Sequence, residues 1–125
     1  MSKKKIVFDK STIVKLFNEN KFNKISKYSK NIINEYEMDI DICKLVVASE
    51  INLKNYFKAE QYLKKIVILH NTDELNYLHG NILKIQNKFY EAIDAYKKAI
   101  LLNKKYSEAY NNLANIQKQI GDNQS

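Results

Sequence analysis

The side chains in this chain that could do chemistry are few and far apart. His70 and His79 stand nine residues apart with no Cys or acidic pattern around them. A zinc-type centre needs three or four ligands at short, regular spacing. Cys43 is the sole cysteine, no motif supplies it with a base, and its apolar neighbours mark it as a small core residue. The carboxylate pairs Glu35/Glu37 and Asp39/Asp41 fall at expected helix ends, where they cap and meet the dipole. Gly80 and Gly121 are too distant to form a phosphate-cradling loop. The pattern predicts no catalytic residue, no metal site and no cofactor, hence no enzyme.

What remains is a matter of surface, and the elements that build it follow from composition. The 125 residues are one domain's worth of chain, and 45% hydrophobic content suffices for a core. No proline and two glycines leave little material for tight turns and favour long helices. The net charge of +7 is carried entirely by lysine. Without a planar guanidinium for bidentate contacts, a specific nucleic-acid reader is disfavoured. A lone cysteine excludes an internal disulfide and fits a reducing, cytoplasmic setting. The basic start through Lys5 is followed by only Ile6-Val7-Phe8, too short for a signal peptide. No stretch approaches the roughly 20 apolar residues that span a bilayer.

Apolar spacing at i, i+3 and i+4 predicts about seven helices. Ser11-Thr12 is expected to cap the first, and Phe22 to Ile33 to form the second. Asp39 or Asp41 opens a third, and Tyr56 to Val67 line a fourth. Thr72 or Asp73 caps a fifth, Phe89 to Leu102 is a sixth, and Ser107 opens a seventh that Gly121 closes as a C′ glycine. Turns fall at Asn18–Lys21, Asn52–Asn55 and Asn87-Lys88. Phe89, Ala92 and Ala99 recur 33 residues earlier as Tyr56, Ala59 and Ile66, then 34 earlier again as Phe22, Ile25 and Ile32. Gly80, Ala92, Ala95, Ala99 and Ala114 are the expected points of close helix approach. A two-helix hairpin leaves one apolar face wet, so such units must stack.

Gly80, Ala92, Tyr96 and Ala99, with Phe89-Tyr90-Glu91-Ala92-Ile93 opening a second helix, resemble the tetratricopeptide repeat (TPR). The best unit is 73–106; 107–122 resembles a further first helix, 40–72 matches moderately and 6–39 weakly, with Ser29 where a large residue is usual. No unit has the signature Trp, His79 stands at the usual Leu, and Lys104 replaces the final Pro. The resemblance implies an all-α, right-handed α-solenoid of antiparallel helix–turn–helix repeats over 6–122, between a basic tail at 1–5 and a short tail at 123–125.

The resemblance further implies an interaction module, a scaffold or adaptor that binds a peptide or partner protein in a concave groove lined by first helices. In that register the groove residues are Lys44, Asn52, Tyr77, Asn81, Lys84, Asn111, Asn115 and Lys118. Asparagine amides there offer donors and acceptors to a peptide backbone. The carboxylate clamp of some family members does not carry over: Ala48 and Leu78 stand where Asn is needed, and Asn112 alone matches. Lys64-Lys65 and Lys97-Lys98 form an outer stripe that reads as a solvated face. Two other readings remain: the helical accessory region of a longer enzyme, such as a glycosyl- or sulfo-transferase, and a basic RNA-associated repeat. The stripe Tyr110, Leu113, Ile116 and Ile120 makes self-association through 107–120 a further expectation.

Overall fold

The computed structural model describes residues 8–124, with side chains through Gly121. The basic stretch 1–5 therefore lies outside the described residues. Among these residues there are eight helices and no strand: α1 (Lys10–Asn18), α2 (Phe22–Lys27), α3 (Ser29–Glu35), α4 (Ile40–Asn52), α5 (Tyr56–Leu69), α6 (Asp73–Ile85), α7 (Phe89–Leu102) and α8 (Ser107–Gln124). The chain divides into two compact units, 1–62 and 63–125.

The turn from first to second helix is built the same way three times. Asn20, Lys54 and Asn87 carry φ of 60°, 62° and 62°, the left-handed conformation that ends a helix. The residue after each donates its N–H five residues back: Lys21 to Leu16 at 2.9 Å, Asn55 to Glu50 at 2.8 Å and Lys88 to Leu83 at 2.9 Å. This six-to-one bond is the Schellman closure, and it drops Phe22, Tyr56 and Phe89 onto the first position of the next helix.

The starts of α1, α4 and α6 are built alike. Asp9, Asp39 and Thr72 each accept a backbone N–H three residues on, from Thr12 (2.8 Å), Ile42 (3.1 Å) and Leu75 (3.1 Å). The first cap is thus Asp9 and not Ser11-Thr12; the Ser11 hydroxyl donates to that same carboxylate at 3.0 Å.

Three expectations change. The helix expected from Phe22 to Ile33 is two, broken where Tyr28 takes φ −113° and ψ 15° and donates its N–H to Ile25 in a tighter turn. Gly121 closes nothing: α8 runs on to Gln124, and no glycine has positive φ. Ala114 is exposed, and Ala109 is the buried alanine of α8.

The second unit packs as the repeat pattern predicts. Ala92, Ala95, Tyr96, Ala99, Ala109, Ile116 and Leu83 form its buried core, with Tyr77, Phe89 and Leu113 against them. A Cβ at Gly80 would sit 2.6 Å from Tyr96 Cε1 and 2.7 Å from Cδ1, so the ring lies on the bare backbone of α6. In the first unit Ile13, Ile25, Ile33, Ile42, Cys43 and Val46 are buried. Cys43 is the small core residue expected, and its thiol donates to the Tyr36 carbonyl at 3.3 Å.

Beside that core sits a buried carboxylate. Glu50 is fully enclosed, and its Oε1 accepts from the Ser26 hydroxyl and the Asn55 amide, each at 2.9 Å. Its Oε2 pairs with the Lys58 ammonium at 3.1 Å. Burial alone would raise this carboxyl, but hydrogen bonds from Asn55, Ser29, Ser26 and Lys58 outweigh it and hold it below its ordinary value.

Candidate groove face on the first helices

Tyr77, Asn81 and Lys84 project from one side of α6, at i, i+4 and i+7. Asn112 on α8 ties all three together. Its amide nitrogen donates to Tyr77 Oη at 3.0 Å and to Asn81 Oδ1 at 3.3 Å, and its Oδ1 accepts from Lys84 Nζ at 3.2 Å. Tyr96 reaches the same point from α7 and donates its hydroxyl to Asn81 Oδ1 at 2.5 Å. Burial pushes the Tyr96 hydroxyl well up, with the Tyr77 hydroxyl adding to the shift, so it stays a proton donor. The Tyr77 ring stacks obliquely on Tyr106, centroids 4.8 Å apart. Tyr106 is likewise pushed up, to about 12, chiefly by burial.

This network decides which donors remain for a ligand. Asn112 commits both faces of its amide, whereas Asn81 commits only its oxygen and keeps its NH₂. Lys84 spends one of three N–H groups. Asn111, Asn115 and Lys118 lie exposed on α8, at i, i+4 and i+7. In the first unit, Lys44 is half-buried on α4, and Asn52 is exposed at the end of α4 with its amide donating to the Ala48 carbonyl at 2.8 Å.

The structure thus joins Tyr77, Asn81 and Lys84 through a residue that the groove register omits. Asn112 sits one position after Asn111, on the side of α8 turned to α6 and not outward. The signal was present in the sequence: Leu78, its counterpart in the preceding unit, is apolar, and an amide in that place must find partners. Among the described residues there is no cluster of three or more His, Cys, Asp or Glu that could hold a metal. No described helix is long and apolar enough to cross a membrane.

Helical hairpins of fixed pitch, closed by one repeated turn and packed through small residues, define a class: the all-α repeat array. Within that class the chain has the tetratricopeptide repeat fold. A family model described as TPR repeat matches residues 80–121. The crystal structure of MamA protein superposes with a TM-score of 0.78 at 23% identity, over 87% of this chain and 60% of that one. A second crystal structure of MamA gives 0.79 at 23% identity, over 93% and 67%. The first TPR of Spaghetti (RPAP3), bound to HSP90 peptide SRMEEVD, gives 0.76 at 20% identity, over 90% of both chains. This chain spans about 60% of the length of the first of these. No curated protein matches the sequence.

Proposed function

We propose that this chain is a protein-interaction module, a cytoplasmic scaffold or adaptor that seats a peptide or a segment of a partner protein along the groove face of α6 and α8. One observation carries the reading. The Asn112 network fixes Tyr77, Asn81 and Lys84 in place, yet leaves the Asn81 amide and the Lys84 ammonium with donors to spare, beside the uncommitted Asn115 and Lys118 on α8. Fixed donors suit the carbonyls of an extended peptide, because little side-chain entropy is lost on binding. Two ammonium groups favour acidic side chains in that peptide. The same fold in RPAP3 is bound to a peptide, which supports the class of ligand. Lys44 and Asn52 are proposed contacts of the first unit. A carboxylate clamp through Asn112 is not part of the proposal, since that amide is spent inside the fold.

Asn115→Ala with Lys118→Ala tests it, because these side chains support nothing else in the structure. Partners captured from lysate by the tagged wild-type chain should fall at least tenfold on the double variant when quantified by mass spectrometry. Undiminished capture would place the binding surface elsewhere.

A further inference from the structure

On another side of the second unit, α5, α6 and α7 enclose two adjoining clefts of about 410 and 350 Å³ that share Val67, Ile68, Asn76 and Lys98. Asn76, His79 and Leu83 of α6 line the larger one, about two fifths of a turn round that helix from Tyr77 and Asn81. The smaller is lined by Ile68, Leu101 and Leu102, which are 82%, 72% and 47% exposed. Ile68 and Leu101 are 33 residues apart, so they are one repeat position with an outward apolar side chain used twice. Isolated exposed apolar residues need no explanation, but a contiguous set at the mouth of a cleft marks a docking surface.

The charges along the α7 wall of that cleft are ordered, and Lys64 of α5 adds a cation to the larger cleft. Moving back along α7 from Leu101, Lys98 comes first, then Asp94, then Glu91, all on one side of the helix and all lining the larger cleft except Leu101 itself. The geometry points to a second docking site here, for an amphipathic helix of a partner protein. Its apolar anchor enters between Ile68 and Leu101, a carboxylate one turn on meets Lys98, and a cation a further turn on meets Asp94 and Glu91. A groove between helices is the shape that takes a helix, read as anchors at three- to four-residue spacing. From Glu91 to Leu101 the groove runs about 15 Å, close to three turns. An anionic lipid surface fits less well, because Asp94 and Glu91 would face its headgroups and the larger cleft is recessed down to α6.

The test is a phage-displayed library of 15-residue amphipathic helices panned on the full chain. Enriched sequences should place an apolar residue, an acid and a base at successive three- to four-residue steps. A synthetic peptide from that set, followed by fluorescence polarisation, should lose at least tenfold in affinity on Ile68→Asp or on Leu101→Asp. Lys98→Glu should weaken it similarly, and exchanging the peptide's acid for lysine should restore binding to that variant. Asn115→Ala should leave binding unchanged, which separates this site from the α6–α8 face. All four substitutions are at exposed positions, and thermal melts by circular dichroism confirm folding. Enrichment of purely basic helices, or of none that depends on Ile68 and Leu101, would overturn the proposal. So would co-sedimentation with phosphatidylserine vesicles that Leu101→Asp abolishes, which would assign the face to lipid.

Discussion

The two units share pitch, caps and turns but fill their interiors by opposite means. In the second, a tyrosine ring lies on a glycine, and the surrounding core is apolar or aromatic. In the first, a carboxylate with no solvent exposure is held by a serine, an asparagine and a lysine. Residues in the same repeat register differ in size. Gly80 and Tyr96 correspond to Val47 and Leu63 one repeat earlier, and to Ile13 and Ser29 before that. As the first-helix residue grows from Gly to Val to Ile, the second-helix residue shrinks from Tyr to Leu to Ser. All six are buried. Ser29 then has a hydroxyl to satisfy, and it shares a hydrogen bond of 2.6 Å with Tyr62. The repeat therefore fixes the backbone register more strictly than it fixes the chemistry of the core.

The sharpest way to break this comparison is at Glu50. Removing one partner of a buried, hydrogen-bonded charge pair costs about 3–5 kcal/mol. Lys58 is 44% exposed and can turn to water, so Glu50→Ala should fall near the lower end, about 3 kcal/mol. Urea unfolding measures the loss, and amide exchange should place it in the first unit. Acid should act at the same place. Asp9, Asp39 and Glu50, each held below its ordinary value, all lie in that unit: Asp9 by the Thr12 and Ser11 hydrogen bonds, Asp39 chiefly by Lys10 and the Ile42 N–H. A folded value below the unfolded one gives stability that is complete above the unfolded value and lost as pH falls through the folded one. Exchange protection in α2 and α4 should thus hold above about pH 4.5, the ordinary value for Glu50, and fail below it before protection in α6 and α7 does. Simultaneous loss in both units would mean that they unfold as one.

Gly80→Ala breaks the second unit by a different route. The new methyl meets the body of the Tyr96 ring, which is fully buried and tethered through its hydroxyl to Asn81. Overpacking of this kind costs roughly 1–3 kcal/mol, partly offset by the roughly 1 kcal/mol that alanine gains over glycine in a helix. A net loss of about 1 kcal/mol in urea unfolding is expected. A neutral result would show that Tyr96 can move, and with it the Asn81 amide of the proposed groove face.

That second unit was also the more legible in the sequence, and for a physical reason. Glycine and alanine at close approaches allow few alternatives, so Gly80, Ala92 and Ala99 announce their contacts. Glu50 announces nothing, because a glutamate in a helix is ordinarily solvated and only its enclosure by Ser26, Asn55 and Lys58 makes it structural. The break at Tyr28 was hidden likewise: the apolar spacing from Phe22 to Ile33 is preserved across it. At the proposed groove face, Tyr77, Asn81 and Lys84 share one side of α6, as helical spacing requires. Asn112, named only for the clamp, has its place set by the neighbouring helix and not by its own.

The smallest expected effect tests the feature that the units share. The left-handed turn position is Asn at 20 and 87 but Lys at 54. Asparagine tolerates that conformation through its short polar side chain, whereas lysine brings its Cβ against the backbone with nothing to offset it. Lys54 is exposed. Lys54→Gly should therefore stabilise the chain by about 0.5–1 kcal/mol, the relief of strain exceeding the added freedom of the unfolded state. Asn87→Gly should change stability by only a few tenths of a kcal/mol, because the strain it relieves is smaller. Urea midpoints of the two variants provide the check. If Lys54→Gly gains nothing while Asn87→Gly does, the turns are not equivalent, and the common backbone register inferred from their hydrogen bonds does not extend to their energetics.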